Sequence, residues 1–131
     1  MSWAKDELKS TDLGDRRRQQ RLVTIVEDLI AQPNASVLQA SRDDAAVQGL
    51  YKFWSNRRII PAAILSGHVD QTVERCREHS TVLTIQDTTE LDFSTHRSTR
   101  GLGPISDASA TGLKVHLTLC SSDAGVLLGI L

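Results

Sequence analysis

Two groups of residues could do chemistry in this chain. The first is a single carboxylate. Asp87 follows Val82-Leu83-Thr84-Ile85-Gln86, where an apolar run gives way to Thr88-Thr89. On a strand, Leu83, Ile85 and Asp87 share one face, in line with two core candidates. A carboxylate so placed must be hydrogen-bonded, protonated or bound to a cation, because burying it bare costs on the order of several kcal/mol. Two readings are open: a strand-end cap on the N–H groups of a following turn, or one ligand of a metal ion whose other ligands lie elsewhere. The second group is cationic. Arg16, Arg17, Arg18 and Arg21 fall in one short stretch, and Arg57 and Arg58 form a second pair. Guanidinium groups pair bidentately with phosphate oxygens; the alternative is an ordinary solvated surface.

The arginine stretch opens the clearest helix of the chain. Leu22, Ile25, Val26, Leu29 and Ile30 recur at helical spacing and form one apolar stripe running to about Ala31. Thr11 or Asp12 is expected to cap it, and Asp15 partly offsets the arginines. Positive charge in the first turns opposes the helix macrodipole by about 0.3–1 kcal/mol each, a local conflict of the kind that collects at functional sites. Before this helix, Ser2 to Leu8 reads as a short helix capped by Ser2. After it, Pro33 and Asn34 stop the chain, and Ser36 caps a short turn. Asp43 or Asp44 starts a helix to about Ser55 with Val47, Leu50, Tyr51 and Trp54 as its inner face. Arg42 and Lys52 stay outside. Pro61 suits the first position of a third long helix, with Ile64, Leu65, His68, Val69, Thr72, Val73 and Cys76 on one face. His68 there reads as a hydrogen-bonded core residue.

Near Ser80 the periodicity turns from helical to alternating. A strand is expected from Thr81 to Asp87, then a polar, Gly-rich loop from Ser94 to Ser109. Leu113, Val115, Leu117 and Leu119 alternate with Lys114, His116, Thr118 and Cys120 as a second strand. A hairpin turn over 121–125 leads to an apolar third strand, Val126 to Leu131. Such a sheet lacks covering helices, so the chain reads as the front part of a larger protein.

At 131 residues, 40% hydrophobic and 24% charged, the chain is globular in composition, with a formal net charge of −1. Net charge argues neither for nor against nucleic acid; the local basic clusters do bear on it. Two cysteines without CxxC spacing, no leader pattern and no run of membrane-spanning length point to free thiols in a cytoplasmic protein.

Three blocks, in order, carry a family resemblance. Leu13-Gly14-Asp15 with Arg17-Arg18 and Arg21-Leu22-Val23 is one. Gly49-Leu50-Tyr51-Lys52-Phe53 with Asn56 is the second, and Ile85-Gln86-Asp87-Thr88-Thr89 the third. Gly101-Leu102-Gly103 and Val115-His116 add a weaker fourth. Together they resemble the N-terminal part of bacterial insertion-sequence transposases of the Asp-Asp-Glu, cut-and-paste kind, the IS-four type with a ribonuclease H-like core.

The resemblance implies an α+β protein: an N-terminal all-α DNA-binding domain over residues 1–80, then the first three strands of an incomplete ribonuclease H-like core over 81–131. It implies that Arg17, Arg18 and Arg21, with Arg42 and Lys52 as further contributors, grip double-stranded DNA at transposon ends. The loop from Gln32 to Ser36 would approach bases. Asp87 would be the first catalytic aspartate, helping to bind Mg²⁺ or Mn²⁺, which turns the open question at Asp87 toward the metal. The family's second aspartate and its glutamate lie beyond the equivalent of Leu131, and Asp107 and Asp123 do not replace them. Two-metal phosphoryl transfer needs carboxylates from several strands holding ions about 4 Å apart. No strand cleavage and no stable Mg²⁺ site are therefore expected of this chain alone. It would be a truncated transposase that binds ends. Alternatives are a regulator that occupies ends or joins the full-length transposase, a decayed remnant, and a helical protein-interaction module.

Overall fold

The structure, a computed structural model, describes residues 2–107 and 109–131. Among the described residues the chain is α+β, with five helices and one four-stranded antiparallel sheet, and it divides into two compact units, Met1–Glu74 and Arg75–Leu131.

The first unit begins with α1 (Trp3–Glu7), whose N-cap is Ser2. The main helix, α2 (Arg16–Ala31), is capped by Asp15, whose carboxylate accepts the Arg17 N–H at 2.7 Å. Neither Thr11 nor Asp12 caps it, contrary to the sequence expectation. Asp12 instead accepts the Gly14 N–H at 2.7 Å in the preceding turn. The Asp15 cap places a carboxylate directly beside the helix N-terminus that the arginines crowd. Ser36 caps the single-turn α3 (Val37–Ala40) through a reciprocal capping box with Gln39. Asp43 caps α4 (Asp44–Trp54), and Pro61 opens α5 (Pro61–Arg77).

Leu8, Leu13, Leu22, Ile25, Leu50 and Phe53 form the buried core, with Val26, Leu29, Ile59 and Ile64 packed around it. Each such side chain contributes about 1.5–3 kcal/mol by leaving water. The inner face of α4 differs from expectation. Leu50 and Phe53 point inward, while Tyr51 and Trp54 are each 54% exposed. Leu65 and Ile30 likewise lie outside the core. On α5, Gly67 meets the 8–13 segment so closely that an added Cβ would stand 1.9 Å from Thr11 Oγ1. His68 Nδ1 lies 2.6 Å from Oε1 of the buried Glu7, so the histidine is a partnered, half-buried residue rather than a fully buried one.

The second unit is a sheet built around β3 (Thr111–Ser122). Along one edge it pairs with β1 (Val82–Asp92), from Val82↔Ser122 to Asp92↔Gly112. Along the other it pairs with β2 (Gly103–Pro104) near its start and β4 (Leu127–Ile130) near its end. Four strands replace the three expected, because the Gly-rich loop contributes β2. The first strand also runs on through Thr88-Thr89 to Asp92 rather than turning. β-branched threonines suit a pleated strand, and no Gly, Pro or Asn is there to break it.

Directly opposed residues share a face. On one face Ile85 opposes Leu119, Asp87 opposes Leu117 and Leu91 opposes Leu113. On the other, Gln86 opposes Thr118, Thr88 opposes His116 and Glu90 opposes Lys114. The apolar face is not a closed core: Leu83, Ile85, Leu113 and Leu117 are 42–53% exposed. The opposite face is polar and cross-linked. Thr88 Oγ1 and His116 Nδ1 are 2.7 Å apart, and Lys114 Nζ lies 3.3 Å from Glu90 Oε1. Glu90 also accepts the Ser106 N–H at 2.8 Å and its hydroxyl at 2.5 Å, tying the 93–110 loop to β1. Arg75 and Cys76, at the end of α5, belong to this unit. Arg75 Nε donates to the Leu128 carbonyl, and the Cys76 thiol adjoins buried Cys120.

Candidate nucleic-acid interface

The arginines of α2 come first because their helical spacing fixes their directions. Arg17 is three and four residues from Gln20 and Arg21, Thr24 is four and three from the same two, and Asp28 is four beyond Thr24, so they form one stripe. It lies away from Leu22 and Ile25, which α2 buries. Arg18 is partly committed: its guanidinium donates to the Leu13 carbonyl at 2.7 Å and helps to fix the turn before the helix. Arg17 and Arg21 are not committed in this way. Among the described residues neither has an acidic partner, and the same holds for Lys52 on α4.

These cations converge. A cavity of about 210 Å³ is lined by Arg17, Arg18, Arg21, Gly49, Lys52, Phe53 and Asn56. A groove of about 450 Å³ adjoins it and shares two arginines: Arg17, Gln20, Arg21, Thr24 and Arg42 line it. The five cations that the family resemblance assigns to DNA, Arg17, Arg18, Arg21, Arg42 and Lys52, therefore line one continuous surface of α2, α4 and the turn before α4. Gly49 leaves room there for the Arg21 side chain. A Cβ at that position would lie 2.7 Å from one Arg21 guanidinium nitrogen, so the guanidinium rests across bare backbone. Arg42 is held from the other side, its Nε 2.8 Å from Asp28 Oδ1. With Arg42 mostly exposed, that ion pair contributes about 0–1 kcal/mol and chiefly orients the guanidinium.

Unpaired cations gathered at one surface repel one another, and an anion relieves that repulsion. A row of guanidinium and ammonium groups along a helix suits the spaced phosphates of a nucleic-acid backbone. Arg57 and Arg58, the second basic pair, do not join this surface. Arg58 lines a separate small cavity with Asp12, Leu13 and Ile60.

Residue type alone does not single out Gln20 and Thr24. Their signal is the spacing itself: the arginine pair at 17 and 21 continues as 20, 24 and 28, so whatever occupies those positions shares the arginines' face.

Asp87 lies elsewhere, on the exposed apolar face of the sheet opposite Leu117. Its Oδ1 accepts the Thr88 N–H at 2.8 Å within the continuing strand, so it caps no turn. Nor is it buried, although the strand pattern places it in line with core candidates. Among the described residues no three His, Cys, Asp or Glu side chains gather to hold a metal ion. One carboxylate leaves Mg²⁺ most of its water shell, so the donors around Asp87 do not by themselves fit a resident ion.

Residues 1–59 match the family model described as transposase DNA-binding. The matched stretch holds α1 to α4 and all five cations of the surface, and it supports a transposase N-terminal domain in this chain. No helix among the described residues is long and apolar enough to cross a membrane.

Proposed function

We propose that the helical unit is the end-binding domain of a cut-and-paste transposase of the IS-four, Asp-Asp-Glu type, holding double-stranded DNA through the Arg17–Arg21–Lys52 surface. One observation carries the reading: cations without acidic partners converge at a groove inside the segment that matches transposase DNA-binding domains. Arg17 and Arg21 contact phosphates, Arg18 and Lys52 flank them, and Arg42 closes the far side. The turn after α2 adds polar groups. Gln32, Pro33, Asn34, Ala35 and Gln39 line a hollow of about 450 Å³ there. Gln39 is engaged in its capping box, which leaves the amides of Gln32 and Asn34 to approach base edges. The test is duplex binding as a function of salt, with and without Arg17 and Arg21.

In this reading the β unit is the start of a ribonuclease H-like core, and Asp87 is its first metal-binding carboxylate. Support comes from the Ile85-Gln86-Asp87-Thr88-Thr89 block and from the exposure of the carboxylate on its strand. Mg²⁺ or Mn²⁺ would supply Lewis-acid activation of the attacking and leaving oxygens once further carboxylates are present. Asp87 alone contributes one anionic ligand, so these 131 residues bind ends without cutting them. A regulatory role follows from the same surface: a chain that occupies ends without cleaving blocks an intact transposase. Mixing it with the intact enzyme and measuring end cleavage separates the two, since inhibition marks the regulator.

A further inference from the structure

We propose that Gln20, with Thr24 one turn further along α2, reads base pairs in the major groove. The inference rests on the DNA-binding reading above and adds the residue that gives it sequence preference. Three observations carry it.

Two adjacent glutamines on α2 have opposite fates. The Gln19 amide donates to the Leu8 carbonyl at 2.7 Å and is structural. Gln20 is exposed, and among the described residues its side-chain amide has no hydrogen-bond partner; the Thr24 hydroxyl has none either.

Gln20 and Thr24 also stand on a ridge between two cationic grooves. On one side lie Arg17, Arg21 and Arg42. On the other, a cavity of about 580 Å³ is lined by Lys5 and Arg16 together with the same Gln20 and Thr24. A helix ridge with positive charge on both flanks matches a duplex major groove about 12 Å wide with a phosphate strand along each wall. The flanking cations take the backbones, and the neutral ridge faces the base edges. Phosphate contacts carry no sequence information, so on this face of α2 any preference comes from the ridge.

The side-chain chemistry and spacing agree with this placement. Glutamine pairs bidentately with N6 and N7 of adenine, and the threonine methyl packs on the C5 methyl of thymine. Four residues along a helix cover about 6 Å, close to two base steps of about 3.4 Å. The surface therefore prefers duplexes with A·T pairs at two positions about two steps apart.

The experiment is selection from a randomised duplex pool by the full 131-residue chain, by Gln20→Ala and by Gln20→Glu. Each protein's affinity for bulk duplex and its melting temperature are measured alongside. The wild type is expected to enrich a motif containing the A·T pairs. Gln20→Ala should lose roughly 5- to 100-fold of discrimination at one of them, the range of a good bidentate contact. Its melting temperature should stay unchanged, because among the described residues the Gln20 side chain makes no internal hydrogen bond. Gln20→Glu should move the preference at that position toward cytosine, whose N4 amino group donates to a carboxylate. If Gln20→Ala enriches the same motif as the wild type, or if the wild type binds duplex with a steep salt dependence and no motif, the inference is overturned while DNA binding stands. If the wild type binds no duplex even at low salt, both readings fall.

Discussion

Arg21 lies across Gly49, where the absence of a side chain leaves room for its guanidinium. A Cβ on Gly49 would stand 2.7 Å from one guanidinium nitrogen and 3.0 Å from Cζ. Both contacts are with the far end of a flexible side chain, which can swing away. Alanine raises helix stability over glycine by about 0.8–1 kcal/mol in a helix interior. Gly49→Ala should therefore melt at least as high as the wild type and yet bind duplex several-fold more weakly, because Arg21 is displaced. A melt and a gel shift on the same preparation check the pair. Unchanged binding would show that the Arg21 position over α4 is irrelevant to DNA.

Gly67→Ala tests the opposite case in the same fold. Its Cβ would meet Thr11 Oγ1 at 1.9 Å and the Thr11 backbone nitrogen at 3.1 Å. Backbone cannot step aside as a guanidinium does, so the gain in helix propensity is outweighed by overpacking, typically about 1–3 kcal/mol. Chemical denaturation should show a lower midpoint for this variant. A midpoint at or above that of the wild type would mean that α5 does not pack on the 8–13 segment as described.

These two glycines also show what a sequence reveals and what it hides. The helices were legible because Leu22, Ile25 and Leu29 repeat at helical spacing and Ser2, Ser36 and Asp43 are strong caps. The inner face of α4 was not. Tyr51 and Trp54 are as apolar by type as Leu50 and Phe53, and only packing against α2 decides which pair turns inward. In the β unit, Thr88-Thr89 read as a turn by polarity. Their pairing with His116 and Val115 shows that β-branching outweighs polarity when a partner strand is available. Within the interface, the arginine cluster was visible as a run. That Arg42 reaches the same groove depends on a turn between helices, which local spacing does not encode.

Acid should loosen the 93–110 loop. The Ser106 hydroxyl, its N–H and Lys114 hold the Glu90 carboxyl below its usual value of 4.5. A lowered folded-state value means the contribution is present above the usual carboxylate range and lost as pH falls through the lowered value. Amide exchange at Ser106 should thus be protected near neutrality and accelerate, beyond the intrinsic trend, once the pH falls below the usual carboxylate range. Glu90→Gln should show weaker protection near neutrality and no such step. An identical profile for the variant would remove Glu90 as the tether.

The cysteines should differ in reactivity. Burial, and then the neighbouring Cys76 thiol, push the Cys120 thiol above its usual value of 9.0, so less of the reactive thiolate is present. Under mildly alkaline conditions Cys76, which is half-buried, should label first, and Cys120 only as the second unit opens. Equal labelling rates in the native protein would contradict the packing of the α5 end on β3.

Asp87 should be silent toward metal in this chain. With one carboxylate, millimolar Mg²⁺ should move the melting temperature by less than about 1 °C, since stabilisation requires binding well below the working concentration. In a version extended to a complete catalytic core, Asp87→Asn should remove nicking while leaving end binding intact, because asparagine keeps the shape and loses the charge. Retained cleavage at a near-normal rate would make Asp87 structural.

The most direct test of the central claim is the salt dependence of duplex affinity for the wild type and for Arg17→Ala combined with Arg21→Ala. If the surface of α2 and α4 grips the backbone, the logarithm of affinity falls linearly with the logarithm of salt, by about 0.9 per phosphate neutralised. The double variant should bind all duplexes more weakly and show a slope flatter by roughly one to two units, with its melting temperature kept. An affinity that does not change with salt, or a slope that the two substitutions leave untouched, would contradict the assignment of this surface to DNA.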